Sequence, residues 1–141
     1  MNTPDDQDRV VPLAIPAPDV ENPLPIVLAK DGAVVLSYMS FVARKDAHII
    51  VSFHVAFAHR LGPPDRRGLV SHPLAGRGLK ADGAFEVKDS SWVRGSFGGK
   101  GRHYVFTFRE AVFECVAEGY GSETINEDDD AVRLMARRLY K

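Results

Sequence analysis

From Leu24 onward, short runs rich in valine, isoleucine and aromatic residues alternate with Gly, Pro and Asp punctuation, the pattern of antiparallel strands. The expected strands are residues 25–30, 33–43, 47–59, 83–93, 102–109 and 112–119, with "KDG" at 30–32 as a tight turn. In "HIIVSFHVAFAH", Ile49, Val51, Phe53, Val55 and Phe57 fall on one face and His48, Ser52, His54, Ala56 and Ala58 on the other. The first face is core; the second is small and mildly polar. "HYVFTFREAVFECVAE" reads as a hairpin with Glu110 and Ala111 at its tip, pairing Phe108 with Phe113, Phe106 with Cys115 and Tyr104 with Ala117. On its opposite face, Thr107 meets Glu114 and His103 meets Glu118.

Near the end the period switches to helical spacing, with Val132, Met135, Ala136 and Leu139 on one stripe, predicting a helix over about 126–140. Thr124 with Glu127, or Asn126 alone, caps it, and the acidic run 127–130 suits the positive helix N-terminus. Prolines at 4, 12, 16, 18, 23 and 25 leave residues 1–23 as an extended or disordered arm, whose apolar "VVPLAI" is able to pack on the body. The expected fold is therefore α+β: one domain over 24–141, a predominantly antiparallel sheet curled into a sandwich or partial barrel, with one C-terminal amphipathic helix.

Composition narrows the class of activity. The chain has 141 residues, 45% hydrophobic and 26% charged, and no apolar run approaches the roughly 20 residues that span a bilayer. The acidic, proline-rich start lacks the basic and apolar regions of a secretory signal, so the expected compartment is the cytoplasm. Cys115, the single cysteine, has no partner for an internal disulfide and falls on an apolar face as a packed thiol. Residues 60–109 carry ten Lys/Arg against four Asp/Glu, whereas 110–141 carry four against eight. These blocks either neutralise each other or leave an anion-binding surface.

Specific motifs are few. The five histidines show no HxH or HExxH spacing, and His48 and His54 stand about 20 Å apart on an extended strand, so no metal is expected. "RGSFGGKGR" at 94–102 lacks the first glycine and the Ser/Thr of a Walker A loop and reads as a flexible interstrand loop. Its cations beside Trp92 and Phe97 leave only a weak case for nucleic acid. Ser90, Ser91 and Ser122 occupy no GxSxG elbow.

"HPLAGRGL", "FEVKDSSWV" and "YVFTFREAVFECVA" together resemble segments of a family of uncharacterised bacterial proteins, over residues 68–119. That family's hairpin turn reads His-Asp where this chain has Arg109 and Glu110, and it supplies no activity or functional residue to carry over. No cofactor is expected. The first functional expectation is a non-catalytic binding or interaction domain for an anionic small molecule or an acidic protein surface, through Arg60, Arg66, Arg67, Arg77, Lys80 and Arg102. Its ligand-binding set is His72, Arg77, Lys80 and Arg102, with His72 and Arg77 in the bend that Pro73, Gly76 and Gly78 impose. The alternative is a small hydrolase-like or lyase-like enzyme using His54 or His103 with Glu114 in a sheet-lined pocket. A homo-oligomer is compatible with either.

Overall fold

The computed structural model describes residues 7–20, 25–63 and 74–140. Its elements are β1 (Arg9–Pro12), β2 (Ile26–Lys30), β3 (Ala33–Val42), β4 (Lys45–Gly62), a 3-10 turn (Ala75–Arg77), β5 (Gly83–Lys88), α1 (Ser91–Ser96), β6 (Arg102–Thr107), β7 (Val112–Asn126) and α2 (Ala131–Leu139). The strands form one antiparallel sheet in the order β1-β5-β6-β7-β4-β3-β2. The α+β, sheet-dominated architecture is the one the alternation pattern implies.

The sheet is strongly curled. β3 and β6 are three strand spacings apart, roughly 14 Å if flat, yet the Tyr38 ring lies 5.8 Å from Phe106 and 5.7 Å from Phe108. Its concave side holds the main core, including Leu36, Tyr38, Ile49, Val51, Phe53, Tyr104, Phe106, Phe113 and Cys115. The convex side is covered twice. Met135 and Leu139 of α2 pack on Val35 and Ile50, while Leu74 and Leu79 beside the 3-10 turn pack on Phe85, Val87, Val105 and Val112. Both faces of the central strands are thus buried.

The N-terminal segment closes the open side. Arg9–Pro12 adds an edge strand to β5, and the chain then crosses the concave mouth to β3. Leu13 N–H donates to Ala84 O (2.9 Å), Tyr38 Oη donates to Pro16 O (2.7 Å) and Asp19 N–H donates to Met39 O (2.9 Å). Leu13 and Ile15 pack against the core between these anchors. Proline suits both an edge strand and an extended crossing, which is why a segment read without strands supplies one.

Several boundaries and pairings differ from the sequence reading. The β6–β7 tip is Arg109–Glu110, closed by Phe108 N–H to Ala111 O, one residue earlier than expected. Every pair therefore shifts by two: Phe106 faces Phe113, Tyr104 faces Cys115, and His103 faces Val116 rather than Glu118. A shift of two keeps each side chain on its expected face. β7 runs on to Asn126 through glycines that read as punctuation, and α2 starts at Ala131, capped by Asp130 Oδ1 on Arg133 N (3.1 Å). Its buried stripe is Ala131, Met135 and Leu139, while Val132 is exposed.

β4 carries a bulge between Ala56 and Ala58, beside Val55 at φ 52°. The alternation breaks there, so Val55 and Phe57, expected in the core, are exposed. The bulge also sets the register beyond it, placing Arg60 opposite Glu114. Continuing the pairing that puts Ala56 opposite Ala117 would instead place His59 there.

Candidate functional site

The expected strand 83–93 stops at Lys88 because Asp89 takes a positive φ of 55° and turns the chain. Ser90 follows as the N-cap of α1, its Oγ accepting from Val93 N–H (3.3 Å). Asp8, itself buried, accepts from Ser91 N–H (2.9 Å) and Ser91 Oγ–H (3.1 Å) and meets Arg94 at 3.5 Å. The N-terminal segment thereby locks α1 in place. The glycine loop then returns the chain to β6, and Gly101 at φ 89° passes so close to Phe57 that a Cβ would stand 3.0 Å from its ring.

His103 follows two residues later on the convex face, almost wholly buried. Its Nδ1 stands 2.9 Å from Ser90 Oγ and its Nε2 2.8 Å from Glu114 Oε1. Glu114, on β7, is equally buried and takes Nε–H (3.1 Å) and Nη2–H bonds from Arg60 on its second oxygen. The Arg60 guanidinium lies 5.0 Å from the Trp92 ring centre, and Trp92 stands edge-on to His103 at 5.1 Å. Four elements thus converge on one line of groups, Ser90–His103–Glu114–Arg60, walled by the chain's single tryptophan.

The donors and acceptors fix its direction. A carboxylate only accepts, so in the neutral imidazole the proton sits on Nε2 and Nδ1 is the acceptor. Ser90 Oγ already accepts from Val93, which leaves its own hydrogen for Nδ1. Ser90 and His103 also line a cavity of about 230 Å³ with Glu86, Val87, Lys88, Asp89, Val93, Arg94, Gly99, Gly101 and Arg102. That is below the roughly 300–1,000 Å³ of drug-sized ligand pockets. Lys88 pairs with Glu86 at 3.2 Å, and Arg94 donates to Asp89 O at 3.2–3.3 Å, while Arg102 is exposed at the edge.

The structure joins His103 to Glu114 but places His54 elsewhere. His54 is exposed on β4, opposite Gly119, and lines a separate 460 Å³ groove with Val55, Ser122, Glu123 and Arg138. In that groove the two main charges answer each other, Arg138 holding Glu123 at 2.6 and 2.9 Å. Of the expected anion-binding residues, Arg102 lines the small cavity. Arg77 donates to Asp8 O (3.4 Å), Lys80 is exposed and offers its carbonyl to Thr107 Oγ1 (2.6 Å), and Arg60 serves Glu114. His72, Pro73, Arg66 and Arg67 lie outside the described residues.

Sequence reasoning missed Ser90 and Trp92 because it ran the strand through them and missed the helix. The usable signal was "DSSW", a left-handed-tolerant Asp followed by a capping Ser. Cys115 is buried against the concave core, and burial pushes its thiol up to about 12. Among the described residues no group of three His, Cys, Asp or Glu is placed to hold a metal ion, and no helix is long and apolar enough to cross a membrane.

No protein-family model, curated protein or solved structure matches this chain. The segments around "HPLAGRGL", "FEVKDSSWV" and "YVFTFREAVFECVA" nevertheless meet in space. Their described parts pack together, Leu74 and Leu79 against Phe85, Val87, Val105 and Val112, while β5, α1 and the β6–β7 hairpin carry Ser90, His103 and Glu114.

Proposed function

We propose that the protein is a binding domain for a small anionic molecule, seated in the cavity between β5, α1 and β6. The observation that supports this reading is the lining, in which Arg102 is exposed at the edge beside Lys88, paired with Glu86, and Arg94, paired with Asp8, and which also includes Ser90 and His103. The lining is polar, and the volume suits a compact carboxylate or phosphate. An extended acidic protein surface is less well served, because Arg60 and Arg77 point their donors inward to Glu114 and Asp8.

Trp92 makes the reading measurable, since its ring touches His103 and no other tryptophan contributes fluorescence. Titration with succinate and with inorganic phosphate at constant ionic strength is expected to give a saturable change in its emission. Arg102→Gln removes a charge-assisted hydrogen bond and weakens the response by about tenfold. A non-saturable response that is the same in the wild type and in Arg102→Gln would remove the basis of the proposal.

A further inference from the structure

We infer that Ser90 is a nucleophile, with His103 as its general base and Glu114 and Arg60 as positioning residues, so that the cavity carries out acyl transfer from a small ester bearing a carboxylate. The inference rests on the binding reading above, which supplies the substrate's anionic group and its place against Arg102.

Three features of a serine nucleophile are present in one line: a hydroxyl within hydrogen-bond reach of an imidazole nitrogen, a carboxylate on the other nitrogen, and a place for Ser90, itself 4% exposed, in the lining of the cavity. His103 is held from three sides, by Ser90, by Glu114 and by the Trp92 edge at 84° to its plane. The contact uses Nδ1 for the serine and Nε2 for the acid, the reverse of the nitrogen assignment in the Ser-His-Asp template, with the same order of hydroxyl, imidazole and carboxylate. A purely structural brace is a poor account of the same groups. Burying a carboxylate, an imidazole and a hydroxyl carries a desolvation cost that apolar residues of similar volume avoid, and the neighbours on this face, Val87, Val105 and Val112, are apolar.

The chemistry closes without an outside oxidant or reductant. Ser90 Oγ adds to the carbonyl carbon of the bound ester while its proton passes to Nδ1 of His103, and the carbonyl electron pair moves onto oxygen. The tetrahedral anion collapses, the ester C–O bond breaks, and the leaving alcohol oxygen takes the proton from Nδ1. The product is an acyl-serine. Water then adds to the acyl carbon, giving its proton to Nδ1, and the second collapse returns that proton to Ser90 and releases the acid. Throughout, Nε2–H stays on Glu114, whose charge offsets the transient imidazolium and is itself held by Arg60.

The test uses the full chain. A fluorophosphonate probe, followed by mass mapping of the adduct, is expected to label Ser90 rather than Ser91. The p-nitrophenyl half-ester of succinate is expected to be cleaved faster than p-nitrophenyl acetate. His103→Gln lowers both labelling and cleavage by about 10²–10⁴-fold. Glu114→Gln lowers cleavage at least about tenfold and alters its pH profile, while the Trp92 response to succinate is kept, which a merely structural role would not produce. Because Ser90→Ala also removes the α1 cap, the adduct's position in the wild type decides. An adduct elsewhere, or none while succinate still shifts Trp92 emission, overturns the nucleophile and leaves the binding reading standing. An adduct at Ser90 with no preference for the succinyl ester, and no response to succinate, supports the nucleophile and overturns the anionic pocket.

Discussion

Replacing Glu114 by alanine strips the acceptor from the centre of the buried line. His103, with 2% of its surface exposed, then has an Nε2–H and no acceptor, which costs roughly 1–3 kcal/mol. Arg60 also loses its carboxylate, but 39% of its side chain is exposed, so its loss is well below the roughly 3–5 kcal/mol of breaking a fully buried pair. The expected total is about 3 kcal/mol. Arg60→Ala alone leaves Glu114 with the His103 bond and costs about 2 kcal/mol. Because both changes destroy the same interaction, the double variant should fall short of their sum by about 1–2 kcal/mol. Urea unfolding with unchanged m reads all three values as midpoint shifts. Additivity within roughly 0.5 kcal/mol, or a Glu114→Ala cost below that figure, would refute the geometry of the pair and with it the positioning of His103.

Val55 combines a positive φ of 52° with a β-branched side chain that is 49% exposed; Val55→Gly is expected to raise stability by about 1 kcal/mol in thermal or urea unfolding, and a loss would show that the bulge carries no strain. Asp8 ties the N-terminal segment to Ser91 and Arg94, so Asp8→Ala is expected to cost about 1–3 kcal/mol and to increase hydrogen exchange in α1; unchanged exchange would mean that the segment does not hold the helix. Cys115 is raised from 9.0 to about 12 by burial. The folded state therefore favours the neutral thiol, so this contribution is fully present below pH 9.0 and is lost as pH rises through the folded value near 12. Tyr38 and Tyr104, raised chiefly by burial, act in the same direction. Urea midpoints should begin to fall above pH 9.0, with a shallower fall in Cys115→Ala; identical alkaline slopes would contradict the assigned burial.

The parts of the fold that follow from strict alternation were legible. Strands β2, β3 and β6 start within one residue of their expected positions, and the hairpin put Tyr104, Phe106, Phe113 and Cys115 on one apolar face despite a register error of two. What alternation cannot report is where backbone torsion departs from it. The positive φ at Val55 and Asp89 displaced Phe57 from the core and ended β5 early, and each change bears on the site: one aligns Arg60 with Glu114, the other presents Ser90. The pairing of His103 with Glu114 was anticipated on the correct face, although the expected register put Glu118 opposite His103. Glu114 reaches His103 diagonally across the hairpin because the tip lies at Arg109–Glu110. Asp8 and the edge strand Arg9–Pro12 were hidden because their value comes wholly from distant partners, Ser91 and β5.

The ordered line from Ser90 to Arg60 is tested most directly by nitrogen-15 NMR of the His103 imidazole. The account predicts a ring proton on Nε2 that is held by Glu114 and slow to exchange, with Nδ1 accepting from Ser90; Glu114→Gln should speed that exchange. A proton on Nδ1 instead, or a ring exchanging freely with solvent between both tautomers, would contradict it.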